Sequence, residues 1–159
     1  MALTTANSDS KRLSACFGNN GGTLYAYIAY STATTTHRIR RGTISGTSIS
    51  WDSEQTYTSS AAFDSSARPG ISIDAGGFLW LHGVNTSGVI AIRSSSAYAV
   101  TAWSTEYSAG GGARTLGGYS DHTIGVSTGS NSLLIFAIDA TASAGDLYCI
   151  PVADGTGFG

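Results

Sequence analysis

Gly21-Gly22-Thr23-Leu24-Tyr25-Ala26-Tyr27-Ile28-Ala29-Tyr30 returns 55 positions later as Gly76-Gly77-Phe78-Leu79-Trp80-Leu81-His82-Gly83. It returns again, more faintly, as Ser130-Asn131-Ser132-Leu133-Leu134-Ile135-Phe136-Ala137. Leu24 and Leu79 hold the same place in their units, and Trp51 and Trp103 close the first two units 52 positions apart. A fixed period of about 40–55 residues in a strand-rich chain marks a repeat architecture, in which each unit is one supersecondary element that cannot bury its apolar surface alone.

Along the whole chain apolar residues alternate or run briefly, β-branched and aromatic types dominate, and Gly/Ser/Asn/Asp clusters punctuate them. That is the pattern of an all-β protein. The first unit reads as strands over residues 12–18, 23–31, 36–44 and 47–56, with Gly18-Asn19-Asn20-Gly21-Gly22 as a hairpin turn. The second reads as strands over 70–74, 78–85, 89–94 and 100–107. The third offers 123–127, 133–139 and 146–152 and then stops without a Trp-bearing fourth strand. Four antiparallel strands per repeat is the blade of a β-propeller. The expectation is a single β-propeller-like repeat domain. Its three blades span about residues 11–58, 67–108 and 113–152, the last incomplete, and residues 1–10 are a candidate closing strand. Propellers typically use four to eight blades, so three cannot close a ring. Copies that combine their blades, a head-to-tail filament, or a longer propeller of which this is part would each resolve the shortfall.

Composition narrows the partners. Only 11% of residues are charged, against roughly 25% in ordinary globular chains, and Ser, Thr and Gly make up roughly 40%. Disorder would need few aromatics, whereas this chain carries three Trp, eight Tyr and five Phe. The hydroxyl-rich, charge-poor surface this implies suits an extracellular or virion protein. A net charge of −2, with one basic cluster at His37-Arg38-Ile39-Arg40-Arg41, supplies no basic stripe, so no nucleic-acid partner is expected. In an alternating strand Arg38 and Arg40 share a face, where they would guard a sheet edge by charge. No stretch approaches the roughly 18 apolar residues of a membrane helix, so no membrane insertion is expected. The opening residues lack the basic start and apolar run of a signal peptide. Cys16 and Cys149 sit in apolar strand contexts, more in keeping with two small buried hydrophobes than with a bridge.

The repeated units resemble the blades of sialidase-type (BNR-like) propellers. The residues that carry this are Leu24-Tyr25-Ala26-Tyr27 with Arg38-Ile39-Arg40, and Leu79-Trp80-Leu81 with Ile92-Arg93-Ser94. That family's Asp-box, S-x-D-x-G-x-T-W, is not intact. Ser96 and Trp103 fall in register, but Tyr98 and Val100 take the Asp and Gly positions, while Ile44, Gly46 and Ser48 precede Trp51. The resemblance implies a three-arginine carboxylate site with Tyr, Glu and Asp around it. Arg12, Arg68 and Arg114 each open a unit, but Glu54 and Glu106 are the only glutamates and both follow the Trp of an outer strand. A sialidase-like glycoside hydrolase is therefore a distant third reading. The opening Met-Ala-Leu-Thr-Thr-Ala-Asn-Ser with Lys11-Arg12-Leu13-Ser14-Ala15 is similar to the starts of small phage structural proteins.

Other chemistry is thinly supplied. The glycine-rich run at 110–118 lacks the Lys-Ser/Thr of a P-loop and misses the G-x-G-x-x-G spacing, so it reads as an inter-blade linker. Asp121 and His122 are consecutive and would point to opposite faces of a strand. The three His are scattered, so no metal, no cofactor and no catalytic residue is expected. What remains is aromatic. Sugars stack on rings flanked by hydroxyls and amides, which makes Tyr25, Tyr27, Tyr30 and Tyr98, with Arg68, the candidate glycan-binding set. Tyr30 and Tyr98, beside turns, are the two expected to be exposed. Trp51, Trp80 and Trp103 are expected in the core. The expectation for function is a non-enzymatic protein that self-assembles into a ring or filament, with a glycan-binding or phage receptor-binding module as the alternative.

Overall fold

In a computed structural model, residues 13–63, 69–85, 88–108, 123–139 and 146–158 are described. Every regular element among them is a strand. The first sheet holds β1 (Ser14–Asn20), β2 (Thr23–Ser31), β3 (Thr36–Ser45), β4 (Ser48–Trp51) and β5 (Gln55–Thr58). It runs β1-β2-β3-β4, with β5 also paired to β3. The second sheet, β6 (Gly70–Ile73), β7 (Leu79–Asn85), β8 (Gly88–Ser94) and β9 (Trp103–Ser108), runs in chain order. So does the third, β10 (Thr123–Gly129), β11 (Ser132–Asp139), β12 (Asp146–Ala153) and β13 (Gly157–Phe158). The protein is all-β, with three antiparallel sheets of four or five strands. The candidate closing strand at residues 1–10, the glycine-rich run and Asp121-His122 lie outside the described residues.

Local chemistry explains most boundaries. Gly21 and Gly22 both have positive φ (56° and 94°), the backbone that a two-residue hairpin turn of right-handed twist requires. Asn19 Oδ1 accepts the Gly22 N–H at 2.9 Å and secures that turn. The expected outer strand over 47–56 is in fact two strands. Asp52 donates its N–H to the Arg41 carbonyl, Arg40 holds the Asp52 carbonyl, and the Arg41 guanidinium meets the Asp52 carboxylate at 2.7 Å. That anchor pins the chain at residue 52, and β5 restarts on β3 through Thr36↔Thr58 and Ile39↔Gln55. The third sheet also has a short fourth strand, not expected from the sequence, because Phe158 and Gly157 pair with Val152 and Ala153.

The sheets stack face to face in chain order, with β1 against β6 and β6 against β10. Between the first and second lies a core of Tyr27, Ala29, Ile39, Phe63, Ile71, Leu79, Leu81, Ile90, Ile92 and Val100. Between the second and third lies another: Trp80, Val84, Val89, Ala91, Leu133, Ile135, Ala137, Ile150 and Val152. The second sheet therefore contributes odd and even residues of β7 to different cores, as a sheet covered on both faces must. Each sheet has a leading face, turned towards the position before it in the stack, and a trailing face, turned towards the position after it.

Candidate functional site

Tyr27 is fully buried between the first two sheets, its hydroxyl donating to the Tyr98 carbonyl at 3.3 Å. Tyr30, expected at the surface beside its turn, is buried on the leading face of the first sheet, where its hydroxyl donates to Glu54 Oε2 at 2.7 Å. Neither ring offers a free face for stacking. Tyr25 and Tyr98 are half-buried and adjacent, ring centroids 6.2 Å apart, with the Arg41 guanidinium 5.0 Å from the Tyr25 ring centre. Tyr98 has φ 57°, rare for a residue with a Cβ. It is held there from four sides: its N–H donates to the Gly77 carbonyl, its hydroxyl to the Asn19 carbonyl, and its own carbonyl accepts from Tyr27 and Arg41. Tyr98 thus ties the second sheet to the hairpin of the first. Arg68, with Arg12 and Arg114, lies outside the described residues. Trp80 is in the core, while Trp51 and Trp103 are half-buried.

Sequence reading missed two polar stitches. Buried Asp74 accepts four hydrogen bonds, from the N–H groups of Gly76, Phe78 and Asn131 and from Trp80 Nε1 at 2.9 Å, so it shapes the β6–β7 turn and fastens the third sheet to the second. The sequence places Asp74 at the end of the strand over 70–74 and gives no sign of its burial. Across the same interface Arg93 meets Asp154 at 2.6 Å, and Tyr107 donates to Asp154 at 2.6 Å.

A cleft of about 360 Å³ opens beside the first strands, lined by Ser14, Cys16, Ser72, His82, Thr123 and Gly125 among others. His82 Nε2 lies 2.9 Å from Ser72 Oγ and Nδ1 lies 2.7 Å from Thr123 Oγ1. This superficially matches a nucleophile, base and orienting group. The protons argue otherwise. A carbonyl can only accept, so Ser72 donates to the Gly125 oxygen at 3.0 Å, and His82 Nε2 must then donate to Ser72. Burial also holds the imidazole near pKa 4 and pushes the Cys16 thiol up to about 12, leaving neither a base nor a thiolate at neutral pH. The cluster binds β6, β7 and β10 together. His37, between Ser31 and Ser59 at 2.8 and 3.1 Å, does the same inside the first sheet and is likewise held near 4 by burial.

The two end faces of the stack are unlike any interior face. Exposed large apolar side chains among the described residues are Leu13, Phe17, Leu24 and Ile49, then Ile124, Val126 and Leu147. The first four belong to the leading face of the first sheet and the other three to the trailing face of the third, by strand parity and pairing. In β10 the alternation is inverted. Thr123 and Gly125 face the core, while Ile124 (64% exposed) and Val126 point away from it. In β1, Ser14, Cys16 and Gly18 face in and Phe17 (68% exposed) faces out. Across from Ile124 and Val126 stand Phe136 and Leu134, continued by Cys149 and Pro151 on β12. This trailing face is a contiguous apolar surface, and such surfaces on soluble proteins mark interaction sites.

The chain matches no protein-family model and no curated protein.

Proposed function

We propose that this chain is a non-enzymatic, self-assembling structural protein, its three sheets being β-propeller blades that copies of the chain combine or stack, as in a virion or an extracellular assembly. One observation carries the reading: the exposed large apolar side chains among the described residues are gathered on the two end faces of the stack. Two faces that each hide apolar surface only when another sheet covers them favour association over a free monomer. The hydroxyl-rich, charge-poor composition supports an environment outside the cytoplasm. Sedimentation velocity over a range of concentrations, with electron imaging of the same samples, tests it. Rings or filaments of a whole number of chains are expected, strengthened by sulfate because the contact is apolar. A monodisperse species of 16.2 kDa at every concentration overturns it.

A second reading, a glycan-binding module, draws support from the half-buried Tyr25–Tyr98 pair beside Arg41 and exposed Asn19. A glycan array probed with the assembled protein tests it, and silence across the array removes it.

A further inference from the structure

The pairing registers align the first three strands of each sheet position by position. Phe17 stands opposite Ala26, Ile71 opposite Leu81, and Gly125 opposite Ile135. Ala26 in turn pairs with Gly42, Leu81 with Ile92, and Ile135 with Ile150. These positions are all on leading faces. Leu24, Leu79 and Leu133 occupy one further leading position near each hairpin. Leu79 and Leu133 are fully buried against the sheet before them, whereas Leu24 is 47% exposed. Phe17 and Ile71 show the same contrast. Ala26, Ile28 and Tyr30, farther along the same face, are already buried, so it is the hairpin end of this leading face, at Phe17, Leu24 and Ile49, that lacks the cover its equivalents have.

Trailing faces follow the same rule. Tyr25, Trp80 and Leu134 are equivalent, as are Tyr27, His82 and Phe136, through their partners Thr43, Arg93, Pro151 and Arg41, Ala91, Cys149. The first two members of each set bear on the following sheet. The third members form the open trailing face.

Resting on the self-assembly reading, we propose a direction for it: the trailing face of the third sheet docks onto the leading face of the first sheet of a second copy. The joint continues the two joints already inside the chain, so that Ile124, Val126, Leu134 and Phe136 of one copy cover Phe17, Leu24 and Ile49 of the next. The occupant is a copy of this chain because the two open faces are the two halves of one kind of joint. A leading face in this stack is covered by a trailing face, never by another leading face. The contact is head-to-tail, which yields a closed ring where the rotation permits and a filament where it does not.

Phe17→Asp and Val126→Asp test the direction, since each charge lands on an exposed position and leaves the interior cores intact. Head-to-tail docking requires one live leading face and one live trailing face from different copies. Each variant alone is then a monomer, while their equimolar mixture forms a dimer, twice the mass of one chain, and nothing larger. Cys149, exposed on the trailing face, gives a second readout. Its alkylation is slow in the assembled parent, fast in either variant alone, and slowed in the mixture for the Phe17→Asp chain only. Leu24→Asp with Ile124→Asp repeats the design should either first variant fail a circular-dichroism check of its fold. If each variant alone still forms dimers, like faces pair with like and the direction is wrong. A mixture that stays monomeric while the parent assembles also overturns it. A monomeric parent sinks the self-assembly reading itself.

Discussion

The second sheet and the first are cut from one pattern, yet the second is buried on both faces while the first leaves Phe17, Leu24 and Ile49, around the hairpin end of its leading face, exposed. β8 reads Gly-Val-Ile-Ala-Ile-Arg-Ser and is buried throughout, each successive residue meeting a different neighbour sheet. β1 reads Ser-Ala-Cys-Phe-Gly-Asn-Asn, with Phe17 facing away from the second sheet and exposed. The difference teaches that in a stacked-sheet repeat, burial belongs to the joint and not to the residue. Equivalent leucines differ in stability terms solely by whether a sheet stands opposite.

Truncating those leucines should separate the covered joints from the open face. Leu79→Ala and Leu133→Ala each leave a cavity in a closed core and are expected to cost about 2–5 kcal/mol in chemical denaturation. Leu24→Ala, at the equivalent but open position, should cost under about 1 kcal/mol when measured on dissociated chains. A penalty for Leu24→Ala as large as that of Leu79→Ala would mean the leading face is already covered, and the contrast would collapse.

Acid probes the same joints through their polar stitches. Burial depresses His37 and His82 from 6.5 to about 4 in the folded chain. Between those values the unfolded chain binds more protons, so the stability each histidine confers is complete above about pH 6.5 and is lost as pH falls towards 4. The slope is at most about 1.4 kcal/mol per pH unit for each group. His82 bridges the second and third sheets through Ser72 and Thr123, and His37 stitches the first sheet internally. Thermal melts between pH 7 and pH 4.5 should fall steadily, and His82→Asn should flatten about half of that dependence. A flat profile would show that both imidazoles are solvated, and a halved one that one of them is.

How much of this was legible in the sequence follows the same division. The period, the all-β class and the bounds of β2 were readable because Gly-Gly turns and alternating apolar residues act locally. The break after Trp51 was not, since it depends on Arg40 and Arg41 reaching a backbone and a carboxylate across the sheet. Tyr30 looked exposed by its position near a turn, but Glu54 and the strand around it enclose the ring. Cys149, read as buried from its apolar neighbours, lies on the open trailing face, because alternation puts Tyr148 and Ile150 inward instead. Asp74 gave no hint of burial either: the Gly76-Gly77 turn was visible, but the Trp80 indole and the Asn131 backbone N–H arrive from elsewhere.

Tyr98 sits where the covered joint reaches the surface, so a change there should be felt least. Its hydroxyl donates to the Asn19 carbonyl at 2.8 Å in an exposed setting, and an exposed bond of that kind contributes little. Tyr98→Phe keeps the ring over Gly77 and beside Tyr25 while deleting only the hydroxyl. A loss of about 0.5–1 kcal/mol, with assembly unchanged, is expected if Tyr98 serves to fasten the second sheet to the first hairpin. Should stability hold while binding to a glycan array falls, the hydroxyl faces a ligand instead. The strained φ would then be a feature of a binding site, stored where functional sites keep strain.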